Sequence, residues 1–136
     1  MEEIKLNSHC VNAKIKYHIL SDDKMKEIGF TKNYYEGTDH EEYSPYWWFT
    51  KEIHFPKEKQ YRGIDIDFTV KIPKDSSDLN IMVLDMDFCQ PYDYQSILNK
   101  NPNHPLANIV NEQVEEFMKY LQDNGVLSGH VKGEYI

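Results

Sequence analysis

The chain has 136 residues with 23 acidic side chains against 15 basic ones, a net charge of −8 at a size usual for one domain, so residues 1–136 are read as a single domain. That balance excludes a general binder of DNA, RNA or anionic membrane, because phosphate contacts need Lys and Arg and Arg62 is the single arginine. Mean hydropathy is low at −0.72, but 13% aromatic residues, ten of them Tyr, supply the large buried areas of a folded chain.

The opening residues Met1 to Leu6 contain no leader-like apolar stretch, and no segment approaches the roughly 20 apolar residues of a membrane span. A cytoplasmic protein with no membrane partner is expected. Cys10 and Cys89 form neither a disulfide framework nor a zinc pattern, since no CxxC or CxxxH pair occurs.

Val11, Ala13, Ile15, Tyr17 and Ile19 alternate with Asn12, Lys14, Lys16 and His18, the period of a strand with one buried and one basic face. Ser21 followed by Asp22 and Asp23 marks a helix start, and Met25, Ile28 and Gly29 carry that helix to its end. From Lys32 to Pro45 the chain is polar and acidic and reads as a long loop containing Glu41, Glu42 and Tyr43. Trp47, Phe49, Ile53 and Phe55 then alternate with Trp48, Thr50, Glu52 and His54. Pro56 to Gln60 form a polar turn.

Ile64, Ile66, Phe68, Val70 and Ile72 make the apolar face of the next strand. After a turn over residues 74–78, Met82, Leu84, Met86 and Phe88 are expected to return on that same face. Asp93 caps a short helical turn before the break at Asn101-Pro102-Asn103. Pro105 opens a helix whose stripe runs through Leu106, Ile109, Val110, Val114, Phe117, Met118 and Leu121 to a stop at Gly125. The fold class is therefore α+β: an antiparallel β-meander of three to four strands with one C-terminal amphipathic helix packed on one face.

The charge excess is local. Residues 36–50 hold four acids and no base, and residues 63–99 hold seven acids and two bases. With the hairpin centred near Ser76, Asp67 faces Asp85 and Asp65 faces Asp87, placing four carboxylates on one sheet face beside Glu52 and His54. Like charges directly opposite cost a few tenths to about 1 kcal/mol each, so such a column needs an offset or a use. Three uses follow from the residues: neutralisation by Lys14, Lys16, His18, Lys51 and Lys71; docking of a basic macromolecular surface; or a divalent-metal site of Asp65, Asp67, Asp85 and Asp87. A one-residue slip of register would destroy the face.

No GxSxG, Walker A, HExxH or dinucleotide fingerprint occurs, so no catalytic residue and no cofactor is assigned. Trp48 falls on the acidic face, and with Tyr43 and Tyr46 it has the character of an interface anchor with a polar rim. In composition the chain resembles the accessory inhibitors of phages and mobile elements, including anti-defence and toxin-immunity proteins. That resemblance implies a non-enzymatic inhibitor that occupies a basic, nucleic-acid-binding surface of a protein target without touching nucleic acid itself. The expected binding residues are Asp65, Asp67, Asp85, Asp87, Glu52, Trp48, Glu41, Glu42, Tyr43 and Tyr46. The alternatives are a metal-dependent phosphodiester hydrolase using the carboxylate face, and a structural subunit that assembles as a homo-oligomer through the aromatic patch.

Overall fold

The computed structural model describes residues 15–33, 46–73 and 79–129. Their order is β1 (Lys16–Tyr17), α1 (Asp22–Ile28), β2 (Thr31–Asn33), β3 (Tyr46–Glu52), β4 (Ile66–Pro73), β5 (Asn80–Asp85), β6 (Gln90–Pro91), α2 (Tyr94–Lys100), α3 (Pro105–Asp123) and β7 (Leu127–Ser128), with one 3-10 turn over Lys59–Tyr61. Strands β2 to β6 form an antiparallel sheet in sequence order, a five-stranded meander, and α3 packs on it. The α+β meander expected from the pattern is present, with two short edge strands added. One of them, β2, falls where a loop was expected. Residues 11–14 of the expected N-terminal strand lie outside the described residues, and its described part does not join the meander: β1 pairs with β7 in a separate two-stranded ladder.

Helix ends follow local chemistry. The Ser21 hydroxyl accepts the Lys24 N–H at 3.3 Å, with Asp22 and Asp23 in the first turn favouring the positive end of the helix dipole. Gly29 ends α1 at φ 124°, and a Cβ there would stand 3.3 Å from the Phe49 ring, so both backbone angle and close approach call for glycine. Asp93 caps α2 by accepting the Ser96 N–H at 3.1 Å. The cap of α3 is His104, whose Nδ1 accepts the Ala107 N–H at 3.2 Å, a role the sequence pattern did not assign.

The core lies between α3 and one sheet face. Ile66, Phe68, Val70 and Ile72 of β4 are essentially inaccessible, as are Trp47 and Phe49 of β3 and Ile81 and Val83 of β5. From α3, Ala107, Val110, Val114, Met118 and Leu121 are buried at helical spacing, and the Phe117 ring lies on Phe68 with centroids 5.3 Å apart. Helix α1 reaches the same face: its exit residue Phe30 contacts Phe49 at 5.1 Å, and the Tyr120 hydroxyl donates to the Ile28 carbonyl at 2.6 Å.

One phase expectation is overturned. In β5 the buried residues are Ile81 and Val83, with Leu79 just before the strand, while Met82 and Leu84 point to the opposite face. Met86 and Phe88 are not core at all and stand exposed in the turn after β5. The run Leu79 to Leu84 is apolar at every position but Asn80, so its own pattern carries no phase; pairing with β4 selects the branched Ile81 and Val83. Accordingly Val83→Lys should cost more than about 4 kcal/mol by placing a charge in the core, whereas Leu84→Lys should cost about 1 kcal/mol. Chemical denaturation of both variants measures the difference, and equal losses would contradict this register.

Candidate functional site

Strand register decides which carboxylates meet. In the β4–β5 pair, Ile66 faces Asp85 and Asp67 faces Leu84, one residue away from the pairing expected from a turn centred at Ser76. Because side chains alternate, that single step separates Asp85 from Asp67. The expected column of four aspartates is therefore not formed.

Asp85 serves the turn instead. Its Oδ1 accepts the N–H of Asp87 at 3.0 Å and of Phe88 at 3.4 Å, which ties its carboxylate to the backbone of residues 86–89. Asp87 is exposed within that turn. Among the described residues no three His, Cys, Asp or Glu side chains are gathered as ligands for a metal ion, so the alternative set Asp65, Asp67, Asp85 and Asp87 is not brought together.

A smaller acidic group remains. In the β3–β4 pair, Glu52 faces Asp67, so Glu52 lies on the face that carries this aspartate, as expected. Asp65 lies two residues before Asp67 on the same side of the chain, so the three acids share one corner of the sheet. Burial pushes the Asp67 carboxyl above its ordinary value near 3.8, and the negative charges of Asp65 and Glu52, with a hydrogen bond to Asp65, push it the same way.

Of the lysines expected to neutralise the acids, Lys14 lies outside the described residues. Lys51 Nζ lies over the Phe49 ring at 5.5 Å, Lys71 Nζ lies over the Tyr46 ring at 4.5 Å, and Lys16 belongs to the β1–β7 ladder. Among the described residues, no ion pair reaches Glu52, Asp65 or Asp67, whereas Lys24 pairs with Glu27, Lys32 with Asp22 and Lys119 with Asp123.

Trp48 is 39% exposed and faces the side of the sheet that carries Glu52, as expected from its phase. Tyr46 sits beside it with ring centroids 6.2 Å apart, but Tyr46 is buried and offers little contact area. Trp48 and Glu52 are four positions apart on the strand, about 13 Å along the chain. Aromatic and acidic groups thus occupy opposite ends of one face rather than forming a single rimmed patch. Glu41, Glu42 and Tyr43 lie outside the described residues.

Two further features carried no sequence signal. The Gln113 amide brackets the His54 backbone, accepting its N–H at 2.7 Å and donating to its carbonyl at 2.5 Å, and so fastens the β3–β4 connection to α3. Tyr92 is pushed up to about 12 by burial and by the Asp85 charge, and its buried hydroxyl has no hydrogen-bond partner. Neither a spacing rule nor a motif could reveal these, since both depend on which distant segments are neighbours.

No protein-family model, no curated protein and no solved structure matches the chain. No helix among the described residues is long and apolar enough to cross a membrane.

Two outcomes follow from these perturbed groups. The folded state binds the Asp67 proton more tightly than the unfolded chain, so stability is lost as pH rises from the ordinary carboxylate value through the raised one. Asp67→Asn should be more stable than the parent above that window and lose its advantage below the ordinary value, as read by thermal midpoints across acid pH. Tyr92→Phe removes a buried hydroxyl without a partner and should be neutral or stabilising by up to about 1 kcal/mol in the same assay.

Proposed function

We propose that the protein is a non-enzymatic binding protein whose acidic corner, Glu52, Asp65 and Asp67, docks a basic surface on a protein target. The observation that carries the reading is a like-charged group held together on paired strands, while the adjacent Lys51 lies over the Phe49 ring. Carboxylates facing each other across a strand pair destabilise a sheet, and a partner's Lys and Arg would offset that cost on binding.

A basic surface of this kind is the usual footprint of a nucleic-acid-binding protein, and covering it would inhibit the target by occupancy. This fits the inhibitor and immunity type that the composition resembles. Trp48, at the far end of the same face, supplies an apolar contact for a partner broad enough to span both ends.

Titrating the isotope-labelled chain with an arginine-rich peptide should perturb the amide resonances of residues 52, 65 and 67, and affinity should fall as salt rises. Glu52→Lys combined with Asp65→Lys, both exposed positions, should weaken binding by at least about tenfold. Unchanged affinity of the folded double variant would overturn the assignment of this corner.

A further inference from the structure

The sheet end where β3 and β5 finish and β4 begins carries two unlike features side by side. The first is a knob. In the turn after β5, the Asp85 carboxylate holds the Asp87 and Phe88 N–H groups, and Cys89 adopts φ 52°, leaving Met86 42% and Phe88 73% exposed. These are the two most exposed large apolar side chains among the described residues. Asp87 stands between them and Asp65 stands against them, since the Met86 N–H donates to the Asp65 carbonyl at 2.8 Å.

The second feature is a cleft of about 500 Å³ in the β3–β4 connection, lined by Ile53, Phe55, Lys57, Lys59, Arg62 and Ile64 among others. The Phe55 and Tyr61 rings stack in its wall with centroids 5.8 Å apart, and Gln113 anchors the connection at His54. Its lining also holds two carboxylates, Glu52 of the acidic corner and Glu58, the latter engaged by Gln60 Nε2 at 2.9 Å. Ile64 lines the cleft and its neighbour Asp65 contacts the knob, so the two features adjoin. Phe88 remains exposed, and so does not fill the cleft of its own chain.

We infer that the occupant of the cleft is Phe88 of a second copy of this chain, and that the contact is reciprocal. A knob with an apolar tip beside Asp65 and Asp87 complements a mixed cleft in which the Phe55 and Tyr61 rings stand among three cations, Lys57, Lys59 and Arg62, against two carboxylates, Glu52 and Glu58. Because knob and cleft lie beside each other at one sheet end, a two-fold axis between two copies makes both contacts at once and closes the assembly as a dimer. The acids around the knob oppose its insertion into an anionic lipid surface. This inference does not rest on the proposed basic partner.

Sedimentation velocity over a concentration series tests it. The parent chain should show a reversible monomer–dimer equilibrium, and Phe88→Ala should raise the dissociation constant by more than about tenfold. Lys57→Glu combined with Arg62→Glu should do the same while leaving the knob intact. Mixed together, the knobless and the charge-reversed variants retain one intact contact per pair, and should associate with each other more strongly than either does with itself. All substituted side chains are exposed, and circular dichroism verifies that each variant is folded. A parent chain that stays monomeric, a dimer indifferent to Phe88→Ala, or a mixture that gains nothing would each overturn the inference. Because Asp65 flanks the knob and Glu52 lines the cleft, peptide binding by the acidic corner is read separately, in a titration of the Phe88→Ala variant, which keeps Glu52, Asp65 and Asp67 intact.

Discussion

Strand β4 sets the terms for the rest of the molecule. It is the middle strand of five, and its alternate residues Ile66, Phe68, Val70 and Ile72 are all buried on one side. Each neighbour must present apolar side chains to that same side, so the phase of β4 propagates into Trp47 and Phe49 on one flank and Ile81 and Val83 on the other. Helix α3 lies across this surface through Phe117 on Phe68, and α1 reaches it through Phe30 on Phe49. The close approach of Gly29 to the Phe49 ring shows how little slack the layer leaves.

The opposite face inherits whatever the core phase rejects. Trp48, Thr50 and Glu52 of β3 fall there, with Asp67 and Thr69 of β4 and Met82 and Leu84 of β5. The acids that meet are consequently few and local: Glu52, Asp67 and, at the strand's start, Asp65. Cation placement sharpens the contrast, because Lys51 and Lys71 lie over rings of Phe49 and Tyr46. A net charge of −8 is thus less informative than one corner where burial and mutual repulsion raise the Asp67 carboxyl.

Local chemistry was legible wherever a residue acts on its own neighbours. Ser21 and Asp93 cap the helices they precede, Pro105 opens α3, and Gly29 and Gly125, both at positive φ, stand where α1 and α3 end. The α3 stripe was legible because a helix of this length repeats its period enough times to define a face. The edge strands were not: β2 has three residues and β6 two, too few for any period, and each exists because a longer strand offers it a free ladder. The His104 cap and the Gln113 bracket were equally hidden, the first because His is an uncommon cap and the second because its partner is 59 positions away.

By itself the sequence determined the class of fold, the positions of the helices and the faces of β3 and β4, whose polar and apolar residues alternate cleanly. That is why Trp48 was placed on the outer face and Phe49 on the inner one. Tertiary structure alone decided the hairpin between β4 and β5, since both alternations of residues 79–84 are nearly equally apolar and only contact with β4 distinguishes them. The same step of one residue removed Asp85 from the acidic face, bound it to the turn after β5, and put Met86 and Phe88 outside the core. Side-chain period is two residues, so a register that pattern cannot settle leaves every side chain of the strand on an undecided face, and the candidate site with it.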